Sequence, residues 1–223
     1  MHLRRISTAL IATATALALA ACGSDGGDDS AEHDHDNPAA EVSGGTTPDE
    51  GTVLDQPFAK PELVLTDTHG EPYDFAAETA GHATLLYFGY THCPDICPLT
   101  MSNIAVATAG LTEEQRADLR VVFVTTDPER DTPESLGTWL QAQDPDFTGL
   151  TGDFTTIQEA ARSLGIHIEP SYEDENGDIV STHGTQVVAF LPTDDKAHVI
   201  YTEGVTAQTF ERDLPGLLAG ELP

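Results

Sequence analysis

Two cysteines separated by three residues stand in the stretch Phe88-Gly89-Tyr90-Thr91-His92-Cys93-Pro94-Asp95-Ile96-Cys97-Pro98. A thiolate is both the nucleophile of disulfide exchange and a soft metal ligand, so the pair offers two chemistries. A helix starting here would present unpaired N–H groups and about half a positive charge, and both favour thiolate over thiol. Pro98 suits a first helical turn, where its missing N–H costs little. As a staple the pair would achieve little, because the stabilisation from a disulfide grows with the loop it closes and this loop is very short. Structural zinc usually takes four ligands as two close pairs. The chain has only three cysteines, and Cys22 has another use argued below, so one pair remains. The spacing alone does not choose between redox and metal chemistry.

A third ligand has to come from elsewhere. Two thiolates and one imidazole would form a low-coordinate soft site that suits Cu(I) and can also hold Cu(II). Nine histidines compete for the place. His2 belongs to the amino-terminal segment, and His33 and His35 lie in the acidic run His33-Asp34-His35-Asp36. That run could hold Cu(II) weakly or serve only as solvated linker. His69 falls in a turn, His82 before a strand, His198 inside one, and His167 after a helix. His92 adjoins Cys93, but neighbouring side chains of a turning chain point apart. His183 lies in Ser181-Thr182-His183-Gly184, just ahead of the apolar run TQVVAFL. Its position makes it a candidate and leaves open a histidine that merely hydrogen-bonds at the surface.

The elements that must position these residues follow from hydrophobic patterning. Glu62 to Thr66 alternates like a strand, and Asp67-Thr68-His69-Gly70 supplies a hairpin turn. Ala83 to Tyr90 is a near-continuous apolar run, the pattern of a strand buried on both faces. A loop from Thr91 to Pro98 leads into a helical stretch with Ile96, Leu99, Ile104 and Leu111 among its apolar positions. Val121 to Thr125 is a second buried strand. Helices are expected over Pro133 to Gln143 and Thr155 to Leu164. Strands follow at Thr185 to Leu191 and His198 to Thr202. A last helix covers Thr206 to Leu218, with Pro215 near its end. No internal repeat is present. Helical patterns between apolar strands predict an α/β domain. A cysteine pair just after a central strand narrows this to a thioredoxin-like fold, a central mixed β-sheet flanked by helices. In such domains the loop before the late strand faces the active cysteines and normally carries a cis-proline; no proline stands there in this sequence.

The ends and the composition add location. Arg4 and Arg5 precede an uncharged stretch of sixteen residues, Ile6 to Ala21. That is short of the roughly 20 residues a bilayer span needs, and it reads as a secretory signal over 1–21. Leu19-Ala20-Ala21-Cys22 resembles the bacterial lipoprotein box, which implies cleavage before Cys22, a lipid on its sulfur, and a lipid-anchored, extracytoplasmic protein at the cell membrane. Residues 22–55, rich in Gly, Asp, Ser and Pro, are expected to form a disordered acidic tether, and 56–223 the folded domain. Loss of Arg4 and Arg5 takes the formal charge from −29 to −31. Such a surface repels phosphate backbones and anionic headgroups, so nucleic acid is excluded as a partner and attachment must come from the lipid.

Three features together resemble the Sco/SenC family: GYTHCPDICPLTM, VTTDPERDTPESL, and a histidine before a late strand. The resemblance covers nearly all of 56–223. It implies a thioredoxin-like fold, one copper ion per domain held by two cysteines and one histidine, and help in assembling the dinuclear copper centre of cytochrome c oxidase subunit II. Placed on this sequence, the ligands are Cys93, Cys97 and His183. Asp127 matches a family acid near the site, where such groups orient ligands. Two positions depart from the family pattern, which often has Asp before the histidine and Ser after it; here they are Thr182 and Gly184. Three functions are compatible with the pair: a copper metallochaperone, a thiol–disulfide oxidoreductase that keeps the oxidase cysteines reduced, and, more weakly, a thiol peroxidase. Only the first needs His183.

Overall fold

The computed structural model describes residues 50–223. The signal at 1–21, Cys22, most of the 22–55 segment, and His33 and His35 lie outside the described residues. The strands, in chain order, are β1 (Thr52–Ala59), β2 (Val64–Asp67), β3 (Pro72–Asp74), β4 (Ala83–Gly89), β5 (Leu119–Thr125), β6 (Thr148–Thr151), β7 (Tyr172–Glu173), β8 (Ile179–Val180), β9 (Val187–Phe190) and β10 (Lys196–Tyr201). The helices are α1 (Phe75–Glu78), α2 (Ile96–Ala109), α3 (Glu113–Ala117), α4 (Pro133–Gln141), α5 (Phe154–Ser163) and α6 (Ala207–Leu218).

The sheet is organised around β4, which is buried at every position. Side chains of a strand alternate between faces. Leu85 and Tyr87 therefore enter one core cluster, and Leu86 and Phe88 the other. β5 lies parallel to β4 and divides in the same way, Val121 and Phe123 to one side, Val122 and Val124 to the other. On the first face, α2, α4 and α6 bring Met101, Ile104, Leu136, Leu140, Phe210 and Leu214 into the core. On the second, α1 and α5 contribute Phe75, Ile157, Ala160 and Ala161. The eight-stranded sheet has the order β1-β10-β9-β4-β5-β6-β2-β3. It is mixed, with β4, β5 and β6 parallel and β9 antiparallel to β4. This is the thioredoxin-like α/β arrangement that the sequence predicts. Among the described residues no helix is long and apolar enough to cross a membrane.

The domain begins earlier than Gln56. β1 opens at Thr52, pairing Thr52 with Ile200 and Val53 with Val199, so Thr52 to Asp55 belong to the sheet rather than to a tether. The register shifts between Val53 and Phe58. That irregularity removes the clean alternation by which an edge strand is recognised.

Strand directions fix where the site lies. β9 runs against β4, β10 against β9, and β1 against β10. The carboxyl ends of β4, β5 and β10 and the start of β1 therefore share one edge of the sheet. Gly220, just past α6, packs against Thr193 in the β9–β10 turn, on the opposite edge.

Candidate metal centre

At the edge where β4 and β5 end, Sγ of Cys93, Sγ of Cys97 and a ring nitrogen of His183 lie within 4.8 Å of one another. Among the described residues no other group of three or more Cys, His, Asp or Glu donors is so placed.

The two sulfurs are set by the core. β4 ends at Gly89, the chain turns, and α2 starts behind Asp95, whose carboxylate accepts the Ile96 N–H at 2.7 Å. Cys93 precedes the helix and Cys97 occupies its first turn. The Cys97 N–H donates to Cys93 Sγ at 3.3 Å, and the Tyr87 hydroxyl donates to Cys97 Sγ at 3.5 Å. Both cysteines are free thiols, with exposures of 6% for Cys93 and 0% for Cys97. Gly89 is what leaves room for the inner sulfur. A Cβ there would fall 2.9 Å from Cys97 Sγ, 2.7 Å from Tyr87 Cε1 and 3.1 Å from Phe123 Cε2.

Burial reverses the charge expected for Cys97. A helix start favours thiolate, yet desolvation pushes the Cys97 thiol up to about 12, against the Tyr87 hydroxyl and a backbone hydrogen bond at Tyr90, which pull it down. The Tyr90 hydroxyl, also desolvated and beside the thiols, is likewise pushed up to about 12. Without metal, the inner sulfur is therefore a neutral thiol. A soft cation bound here would be held by the two sulfurs and the imidazole, would supply the charge that this interior lacks, and would displace the thiol proton.

The imidazole reaches the same point from a loop. His183 is half-buried, and its Nδ1 lies 3.0 Å from the Gly184 carbonyl oxygen. A carbonyl only accepts, so in the neutral ring Nδ1 carries the proton and Nε2 has the free lone pair, the form that ligates metals. The ring lies 5.7 Å from the Tyr90 ring at an interplanar angle of 48°. Thr182 pins the loop: its Oγ1 accepts the Glu169 N–H at 2.6 Å and donates to the Glu169 carbonyl at 2.9 Å. Gly184 sits against Phe88, and a Cβ there would fall 2.9 Å from Ile166 Cγ2. A side chain at this position would need Ile166 to give way.

Two buried acids stand behind the ligands. Asp127, 2% exposed, pairs with Arg130 and accepts the Ser181 hydroxyl proton at 2.9 Å, two residues before His183. Asp131, 0% exposed, accepts the Thr91 N–H at 2.9 Å, the Thr91 hydroxyl at 2.6 Å and the Thr125 hydroxyl at 2.7 Å. Asp131 is not among the site residues that the sequence singles out. The signal available was a second acid one helical turn after Asp127 in the same block. His92 does not join the three donors; its ring is half-exposed, with Nδ1 3.1 Å from Thr91 Oγ1. His167 is exposed and pairs with Glu169 at 2.8 Å.

Two thiols and an imidazole with its lone pair free, gathered at the edge of a thioredoxin-like sheet, define a protein of soft-metal or thiol redox chemistry. The SCO1/SenC family model matches residues 52–218. The chain belongs to the SCO1/SenC family. It is 35% identical over 170 residues to a Stutzerimonas stutzeri protein named for copper binding, covering 76% of this chain and 81% of that one. Among solved structures it resembles apo Sco1 of Thermus thermophilus, with a TM-score of 0.65, 27% identity, and coverage of 79% of this chain and 99% of that one. It also resembles Bradyrhizobium japonicum ScoI with copper bound, with a TM-score of 0.58, 26% identity, and coverage of 72% and 96%.

Proposed function

We propose that this protein is a copper metallochaperone that holds one copper ion through Cys93, Cys97 and His183 and delivers it to the dinuclear copper centre of cytochrome c oxidase subunit II during assembly. The observation that carries this is the meeting of two sulfurs and an imidazole nitrogen within 4.8 Å. Disulfide chemistry needs only the two sulfurs, whereas a soft metal site uses the third donor as well. The donor set suits Cu(I) and accepts Cu(II). Membership of the SCO1/SenC family and the copper-bound relative from Bradyrhizobium japonicum support the same choice. Copper would leave by ligand exchange from the side where His183 and Cys93 approach solvent, with Cys97 the last ligand released. Cleavage after residue 21 and lipid on Cys22 would place the domain outside the cytoplasm at the cell membrane, facing the oxidase subunit.

A second reading rests on one contact. The Cys97 N–H is aimed at Cys93 Sγ at 3.3 Å, and Cys93 is the more exposed of the two sulfurs, the one an incoming disulfide can reach. The protein would then reduce the oxidase cysteines. His183→Ala separates the two. Its copper affinity should fall at least about tenfold, roughly 1.4 kcal/mol, with altered Cu(II) absorption, while Cys93 and Cys97 still form and exchange a disulfide. Loss of oxidase copper-centre assembly in this variant supports delivery. Full assembly by a copper-deficient, thiol-competent variant would establish the reductase instead.

A further inference from the structure

We infer that Asp131 is the positioning residue of the thiol pair, and that it locks the cysteine loop to the histidine loop through one continuous hydrogen-bond chain. The copper arm of this inference rests on the function proposed above; the thiol arm does not.

The chain can be followed proton by proton. Thr91, two residues before Cys93, gives both its N–H and its hydroxyl to the Asp131 carboxylate, at 2.9 and 2.6 Å. The Thr125 hydroxyl gives its only proton to the same carboxylate at 2.7 Å. Thr125 Oγ1 in turn accepts the Asp127 N–H at 3.0 Å. The Asp127 carboxylate accepts the Ser181 hydroxyl at 2.9 Å. Ser181 has then used its proton, so the 2.7 Å contact with Ser171 is a donation from Ser171. From Ser181 the chain is two residues from His183. One end of this path fixes the residue that launches the cysteine turn, and the other fixes the loop that carries the imidazole.

Asp131 suits the role because it is itself held. It has no solvent exposure, and its own carbonyl accepts the Thr151 hydroxyl from β6 at 2.9 Å. Thr132 and Pro133 begin α4 immediately afterwards. Asp131 is thus anchored to the sheet and a helix start, and no water replaces its hydrogen bonds. A buried carboxylate that accepts three donors fixes their directions. An amide in its place keeps one oxygen and adds two donors: the Thr91 N–H cannot accept from them, and a threonine hydroxyl that faces them must turn its own proton elsewhere.

The test compares Asp131→Asn, Thr91→Val and Thr91→Ser in the full-length protein, each read metal-free and copper-loaded. Asp131→Asn should lower copper affinity about tenfold and shift the Cu(II) absorption and electron paramagnetic resonance spectra. In the reduced, metal-free protein it should also change the rate at which Cys93 and Cys97 close to a disulfide. Thr91→Val, which keeps the carboxylate but removes one donor, should shift the same readouts in the same direction, and Thr91→Ser should restore wild-type values. If Asp131→Asn does not fold, the two Thr91 variants decide. A lower melting temperature with wild-type copper spectra, affinity and disulfide rate would make Asp131 merely structural and overturn the inference. Should the wild-type protein bind no copper, the proposed function fails, and the disulfide rates alone still judge the role of Asp131.

Discussion

The cysteine arm and the histidine arm of the site differ in what holds them. Cys97 lies wholly inside the larger core cluster, under Tyr87 and Phe123 and against Gly89. Its position is the position of the core. His183 sits on a loop whose Gly184 packs against Phe88 and Ile166, whose hydrogen bonds run from Thr182 and Ser181, and whose imidazole lies 5.7 Å from the Tyr90 ring. Next to that loop, the β7–β8 hairpin exposes Tyr172 and Ile179. Packed interiors resist small displacements, whereas exposed loops open locally at little cost. The sulfurs are therefore placed by packing, and the imidazole by the hydrogen bonds of its loop.

The largest break in this contrast should come from a methyl group. Gly89→Ala drives a Cβ into two buried rings and the inner sulfur, none of which has a free end to swing away. Overpacking of this kind costs about 1–3 kcal/mol. Thermal denaturation should show that loss, and copper titration should show weakened binding. Gly184→Ala, crowded by Ile166 alone, should destabilise less, because its loop can shift. Equal losses from the two substitutions would dissolve the distinction between the arms.

Alkaline pH sharpens it next. The folded state holds the Cys97 proton up to about 12, whereas an unperturbed thiol releases it near 8.5. The folded pKa is the raised one, so this contribution to stability is complete below about pH 8.5 and is lost as pH rises towards 12, with a slope of at most about 1.4 kcal/mol per pH unit. Urea midpoints of the metal-free protein should fall between about pH 9 and pH 11, and Cys97→Ala should fall less steeply over that range. Buried Tyr201 is also pushed up and both proteins share it, whereas Tyr87 owes part of its rise to Cys97 and is relieved together with it. Parallel curves would mean that Cys97 is not the titrating group.

The smallest effect is expected on the loop side. Thr182→Ala removes two hydrogen bonds to Glu169, together about 1 kcal/mol of local order. Hydrogen exchange at residues 181–186 should speed up, with little change in the melting temperature. Global destabilisation matching that of Gly89→Ala would show the histidine loop to be as firmly built as the core.

Much of this was legible beforehand, for identifiable reasons. The run Ala83 to Tyr90 announces a buried central strand because nothing polar interrupts it. The cysteine pair and the DPERDTP block mark the chemistry through side chains rare in such density. His183 stood out by its place before a late apolar strand. What stayed hidden depends on contacts between distant segments. The capacity of Asp131 to hold Thr91, forty residues away, has no local signature. The Cys97 thiol defeated a sound local argument, since half a helix charge is outweighed once the sulfur loses all solvent. β1 was missed because a shifted register leaves an edge strand without periodicity.

The direction of β1 also bears on how the protein can be handled. Residue 52 enters the sheet on the edge that carries the two sulfurs and the imidazole, and Gly220 closes the fold on the far edge. A fluorophore, affinity handle or surface linkage added at the carboxyl terminus would leave the copper face open to a docking partner. The same addition close before residue 52 would stand on the edge that carries the site, so binding assays on the two immobilised forms should be compared before either is trusted.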